Sequence, residues 1–195
     1  MKLGRIVIIS GPSGSGKTTL YKRLLSNSKF KGKVVKSISI TTRIKRLGEK
    51  DGRDYLFIEE AEFLNKRKGG YFLEAQKVFG NYYGTPREKV DKILKSGKHV
   101  LLCIDVKGAK EVLKQRTDAL KIFIKPPSVS DLRERLNKRA TESRKDLARR
   151  LKTACQELKE SKNYNYIVVN DNLKKAYKRL EKILLEELFR KKNLN

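Results

Sequence analysis

Eight consecutive residues, Gly11-Pro-Ser-Gly-Ser-Gly16-Lys17-Thr18, carry the spacing G-x-x-x-x-G-K-[ST], a pattern suited to holding a polyphosphate. Gly11, Gly14 and Gly16 permit positive φ, so the backbone can curl and turn successive N–H groups toward one point. Pro12, Ser13 and Ser15 complete the loop and belong to the same cofactor site. Lys17 is long enough to reach β- and γ-phosphates, and the Thr18 hydroxyl is placed to ligate Mg²⁺. Thr19 follows where helix formers begin, adding the positive N-terminal end of a helix. A plain glycine turn with a solvated lysine explains neither Lys17 nor the two threonines. The loop implies a nucleoside triphosphate and leaves open what happens to it.

A strand and a helix must hold that loop. The apolar, β-branched run Ile6–Ile9 ends in Ser10 and predicts the strand, while Leu20, Leu24 and Leu25 predict a helix stopped by Ser26-Asn-Ser28. Val34–Ile38 reads as a second strand. The alternation then breaks. A polar, glycine-punctuated stretch is followed by short strand-like pieces at Tyr55–Ile58, Tyr71–Ala75 and Tyr82–Tyr83, with a helix from Glu59 to Lys66. Residues 37–85 therefore predict a small, mixed β insertion. Thr85 is placed to cap, and Pro86 to open, a helix running to Leu94.

Beyond it, His99–Asp105, Ala119–Ile124 and Tyr166–Val169 predict buried strands. Gly108–Gln115, Ser128–Asn137, Leu147–Lys162 and Leu173–Arg190 predict helices, and residues 138–146 read as an exposed, mobile connection. The predicted fold class is α/β: a parallel sheet of about five strands with helices on both faces. The core takes residues 1–36 and 86–195, and the insertion takes 37–85.

Composition sets the outer limits. At 195 residues the chain accommodates one good core. Lys+Arg 48 against Asp+Glu 22 gives a formal net charge of +26, which raises nucleic-acid binding. The cations run from Lys2 to Lys192 and alternate with acids, so a solvated surface around an enzyme of polyanionic substrates is preferred, with no specific nucleic-acid partner. Cys103 and Cys155 lack zinc-ligand neighbours and read as reduced packing residues in a cytoplasmic protein. His99 reads as structural. Apolar runs are too short to span a membrane, and Gly11-Pro12 interrupts any signal-peptide core.

From the loop to Asn172 the chain resembles the guanylate kinase family. The likeness rests on the glycine-rich loop, Ser39-Ile-Thr-Thr-Arg43 with Arg46-Leu-Gly-Glu49, Asp54-Tyr55, Phe72-Leu-Glu74 and Asn81-Tyr-Tyr-Gly-Thr85. It continues through Ile104-Asp105-Val-Lys-Gly108, Ile122–Ser128 and Val169-Asn-Asp171. The resemblance implies a P-loop NTPase-type fold, ATP as phosphoryl donor with Mg²⁺, and GMP and dGMP as acceptors in purine nucleotide metabolism. It implies that the insertion binds GMP and that residues about 128–150 form a helical lid. The expected assembly is a monomer or a homodimer.

Several residues suit these roles chemically. Arg43 and Arg46 offer forked donors for a phosphate dianion, and by the family likeness Ser39, Tyr55 and Tyr83 add hydroxyls to it. A carboxylate accepts from both N1–H and N2–H of guanine, and Glu74 occupies the family's place for it. Thr85 is placed to donate to O6. Adenine would leave that carboxylate unpaired. Lys17 with Arg135, Arg139 and Arg150, on the family's lid positions, implies the catalytic charge stabilisation that phosphoryl transfer needs. Asp105 resembles the family's acidic residue near Mg²⁺ and the GMP site, with a helix cap as the competing role. Departures from the family pattern are Cys103 for an acidic residue, Ala140 for glycine, and Ser143-Arg-Lys145 for a more acidic stretch. Two rival functions are a non-catalytic guanylate-kinase-like module that binds phosphopeptides, which the intact Lys17 and Thr18 disfavour, and a nucleic-acid-binding ATPase.

Overall fold

The computed structural model describes residues 3–137 and 144–190, the side chains of residues 144–146 excepted. In chain order β1 (Ile6–Ser10) feeds the loop, and α1 (Lys17–Ser26) leads to β2 (Val34–Lys36). Next come β3 (Ile40–Thr41), β4 (Leu56–Phe57), α2 (Glu60–Lys68), β5 (Phe72–Val78) and β6 (Asn81–Pro86). Then follow α3 (Arg87–Lys95), β7 (His99–Cys103), α4 (Val106–Leu113), β8 (Leu120–Lys125) and α5 (Val129–Asn137). The chain closes with α6 (Arg144–Lys159), a 3-10 turn (Glu160–Asn163), β9 (Tyr166–Val169) and α7 (Leu173–Phe189).

The main sheet is all parallel in the order β2-β7-β1-β8-β9. Its central strand, β1, is buried along its whole length, as a strand covered on both faces requires. Alternate side chains divide between two clusters. Val7 and Ile9 join Leu20 and Leu24 of α1 and Leu180 and Leu184 of α7. Ile6 and Ile8 join Val90 of α3 and Ala109 and Val112 of α4. Each fully buried aliphatic side chain of this kind contributes ~1.5–3 kcal/mol.

The second sheet, ordered β4-β3-β6-β5, draws every strand from residues 40–86. Its small core centres on Phe63 of α2, whose ring stacks on Phe72 at 4.5 Å and on Tyr82 at 5.3 Å. Leu73 of β5 points the other way and packs in the cluster of Ile6 and Ile8. The second sheet is thereby fastened to the main body by a side chain in the same core.

Several expectations need correction. Thr85 does not cap α3. It lies in β6, and Pro86 occupies the cap position without a side-chain bond to the helix. The expected helix at 108–115 begins earlier, at Val106, because the Asp105 carboxylate accepts from Gly108 N–H at 2.7 Å and caps it. β2 stops at Lys36. Residues 144–146 are helical, since α6 starts at Arg144. α6 itself ends at Lys159, where the 3-10 turn takes over. Cys155 is exposed, not packed. His99 is structural as expected: its Nδ1 accepts from Arg5 N–H at 3.0 Å. Among the described residues, no helix is long and apolar enough to cross a membrane.

Candidate active site

The glycine-rich loop leaves β1 at the carboxyl edge of the main sheet, between α1 and α5. Gly11, Gly14 and Gly16 have φ of 141°, 87° and 92°. At two of them space is as decisive as φ. A Cβ on Gly11 would lie 2.2 Å from Ile124 O, and one on Gly16 would lie 2.1 Å from Asn170 Nδ2. Gly16 is the left-handed N-cap of α1 and supplies no side-chain bond to it, so the first N–H groups of the helix face the site as anion donors. Lys17 Nζ donates to Gly11 O at 2.6 Å and to Pro12 O at 3.0 Å, curling back over the loop.

Asn170, just past β9, braces the loop from below. Its Nδ2 donates to Ser15 O at 2.8 Å, and its own N–H donates to Lys125 O at 2.8 Å. Arg135 Nη2 donates to Asn170 O at 2.9 Å. Arg135 is held at Asn170 and is not among the residues that line the cleft, whereas Arg150 is. Arg139 lies outside the described residues, as do Ala140 and Ser143.

A cleft of about 760 Å³ opens from the loop toward the second sheet. Gly11, Ser13, Gly14, Gly16, Lys17, Thr18 and Thr19 form one wall; Pro12 and Ser15 turn away from it. Ser39, Arg43, Arg46, Tyr55, Glu74 and Tyr83 form the opposite one. Apart from Pro12, Ser15, Thr85, Arg135 and Arg139, the residues expected from the sequence thus line a single space. Thr85 stands behind that wall.

Glu74 is 2 % exposed, and Thr85 Oγ1 donates to its Oε1 at 2.6 Å. Its other oxygen lies against Gly108, where a Cβ would come within 2.6 Å of Oε2. Burial, aided by the nearby Asp105 and Glu111 carboxylates, pushes the Glu74 pKa up to about 8. The cause is loss of water around a charge with one strong donor.

The tyrosines meet edge to face, with ring centroids 6.0 Å apart. Burial raises the Tyr55 phenol well above its ordinary range. Arg43 lies over the Tyr55 ring at 5.6 Å while its Nη2 holds both oxygens of Glu49 at 2.8 and 2.9 Å. Arg46 is exposed at the cleft mouth. Asp54, 6 % exposed, ties this wall to α1: its Oδ1 accepts from Lys22 Nζ at 2.8 Å, while Lys36 Nζ donates to its carbonyl at 2.6 Å. The Lys22 bond holds the Asp54 carboxyl well below the usual carboxylate range.

Asp105 faces the cleft, and burial raises its pKa against the pull of the Gly108 N–H. Among the described residues, no group of three or more His, Cys, Asp or Glu side chains is arranged to hold a metal ion. Thr18 and Asp105 offer a neutral and an anionic oxygen beside the loop. That donor set fits a Mg²⁺ that arrives on a nucleotide and keeps water and phosphate oxygens as its other ligands, not an all-protein cage.

Sequence reasoning missed three residues. Asn170 was visible only as part of Val169-Asn-Asp171; its place at a strand end opposite the loop is the signal. Glu157 lines the cleft on the face of α6 that carries Arg150, seven residues away. Burial raises its pKa to about 7, with Lys17 opposing the shift. Phe79, in the turn between β5 and β6, also lines the cleft.

A parallel sheet with a phosphate loop after its central strand, and a facing wall that holds a buried carboxylate and two arginines, defines a P-loop nucleotide phosphotransferase. The comparisons narrow that class. The family model for guanylate kinase matches residues 3–187, and the chain belongs to the guanylate kinase family. It is 46% identical over 184 residues to the guanylate kinase of Clostridium perfringens strain 13, covering 94% of this chain and 84% of that one. It is 45% identical to that of Thermotoga maritima, covering 94% and 87%. The crystal structure of guanylate kinase from Anaplasma phagocytophilum superposes with a TM-score of 0.77 at 33% identity, covering 98% of this chain and 89% of that one.

Proposed function

We infer that this chain is a guanylate kinase, transferring the γ-phosphoryl group of ATP to GMP to give ADP and GDP. The observation that carries the choice of acceptor is Glu74, a buried carboxylate in the cleft lining with one oxygen held by Thr85 and the other against Gly108. Guanine offers N1–H and N2–H to such a group. Adenine offers an acceptor there and leaves the carboxylate unpaired, and mismatches of that kind cost far more than a missing methylene.

The donor ATP lies along the glycine-rich loop with its phosphates in the field of the α1 N-terminus. Lys17 gives up its loop carbonyls for the β- and γ-phosphate oxygens and follows the charge that develops during transfer. Arg43 and Arg46, with the hydroxyls of Ser39, Tyr55 and Tyr83, hold the GMP phosphate so that its oxygen lies in line with the γ-phosphorus. Arg150 neutralises the transferring group from the α6 side. Arg135 acts through Asn170 and the loop, and Arg139 belongs with the lid by family likeness. Thr18 and Asp105 would hold Mg²⁺, and the ion would supply charge neutralisation on the β- and γ-phosphates. The scattered lysines, including Lys174, Lys178 and Lys182 on the exposed face of α7, read as solvated surface with no nucleic-acid partner.

The purified chain with ATP and Mg²⁺ should phosphorylate GMP and dGMP and leave AMP, UMP and CMP untouched. Activity confined to AMP, or ATP hydrolysis that needs nucleic acid and not GMP, would overturn the assignment.

A further inference from the structure

Phe79 breaks a local rule. It has φ of 47° and is the one non-glycine residue with positive φ among those described. With Gly80 at φ of 87° it forms a two-residue hairpin between Val78 and Asn81, which pair across β5 and β6. Such turns need positive φ at both positions and favour Asn-Gly or Asp-Gly. A bulky aromatic at the first position is strained, because the left-handed conformation crowds its Cβ. Strain of this kind points to a role that something else in the structure maintains.

The ring shows what that role is. It lies at the rim of the cleft under two guanidinium groups of α6, Arg150 at 5.1 Å and Arg149 at 5.6 Å. Arginine over an aromatic face is a directional contact, drawn to the negative ring quadrupole while its edges remain able to donate. The same hairpin carries Glu74 and Gln76 on one strand and Tyr83 on the other, with Gln76 paired to Tyr83. One rigid β ribbon therefore joins the wall that receives the acceptor to the arginine on the donor side.

We propose that Phe79 is a positioning residue for phosphoryl transfer: its ring sets the guanidinium of Arg150 over the reacting phosphates, and the left-handed turn aims the ring across the cleft. The proposal rests on Arg150 acting on the transferring group. An Asn in this place would relax the turn and lose the contact.

Phe79→Asn, Phe79→Leu, Phe79→Tyr and Arg150→Ala test it by steady-state kinetics with thermal melts. Phe79→Asn should melt no lower than the parent, because the turn is relieved, while kcat falls about 5- to 10-fold, the scale of one aromatic–guanidinium contact. KM for GMP should change less than about twofold. Phe79→Tyr should keep the kcat of the parent, and Phe79→Leu, which keeps bulk without the ring face, should not. In the Arg150→Ala background, Phe79→Leu should add nothing, since residues acting through one another are not additive. Unchanged kcat in Phe79→Leu, or equal losses in both backgrounds, would overturn the positioning role. If Arg150→Ala alone leaves kcat intact, it is the role given to Arg150 that fails.

Discussion

The two walls of the cleft are built on opposite plans. The loop wall is made of backbone: three glycines in positive φ, the N-terminus of α1 and one lysine, all within residues 11–19. The facing wall is made of side chains from distant places. Ser39 precedes β3, Arg43 follows it, Tyr55 precedes β4, and Glu74 and Tyr83 lie on paired strands. Main-chain dipoles bind any polyphosphate and cannot choose a base. A buried carboxylate with a fixed partner can choose, but only while the strands that hold it keep their register. General affinity is thus placed on one wall and selection on the other.

Replacing Lys17 by Met gives the largest expected effect and breaks the comparison on the loop side. It removes charge stabilisation that is strongest in the transition state, so kcat should drop by ~10²–10³-fold while KM for GMP stays nearly constant. Equal losses in both, measured by steady-state kinetics, would mean that the loop also holds the acceptor.

Glu74→Gln comes next and tests the other wall. The amide keeps one acceptor and presents a donor where guanine also donates, so kcat/KM for GMP should fall by ~10–10²-fold. ATP affinity should not change. The same variant has a pH signature. In the folded protein the Glu74 pKa, about 8, lies above the ordinary glutamate value. Its contribution to stability is therefore complete below that ordinary value and is lost as pH rises through about 8. The Tm of the parent should fall more than that of Glu74→Gln between roughly pH 5 and pH 9. Because guanine needs the ionised carboxylate, GMP binding near neutrality should release a proton from the parent and none from the variant. Calorimetry in buffers of different ionisation enthalpy reads this directly, and equal proton release would remove Glu74 from base recognition.

Lys22→Met is the smallest and sharpens the comparison at the seam between the walls. Lys22 is half exposed and Asp54 keeps Arg53 and the Lys50 N–H as partners. Because one partner is half exposed and the buried Asp54 carboxylate keeps two other donors, the loss should cost about 1 kcal/mol by denaturant melts and leave KM for GMP within a factor of about two. A larger rise in KM would show that the acceptor wall depends on α1 for its position.

Legibility from sequence follows the same division. The strand at Ile6–Ser10, the loop and α1 are local patterns, and each falls within a residue or two of its expected place. The five-stranded parallel sheet follows from apolar runs alternating with helical spacing. The capping role expected of Thr85 fails although Thr-Pro before an amphipathic run is a good capping signal; the cross-strand partner Glu74, eleven residues earlier, takes the hydroxyl instead. Asp105 was readable both as metal neighbour and as cap, and the cap bond forms. Glu157 carries no local signature, since its neighbours in the cleft are far away in the chain, and Asn170 shows in the sequence only as a strand-end residue, its bond to Ser15 being long-range.

What the sequence determined by itself is the phosphate cradle and the layered sheet beneath it, because glycine φ, lysine reach and strand periodicity act over a few residues. The tertiary structure decided the rest. Only packing could show that Glu74 loses its water, that Arg135 bonds Asn170 while Arg150 lines the cleft, and that the strained Phe79 lies under α6. Burial and long-range contact set those properties, and neither is written in the spacing of residues along the chain.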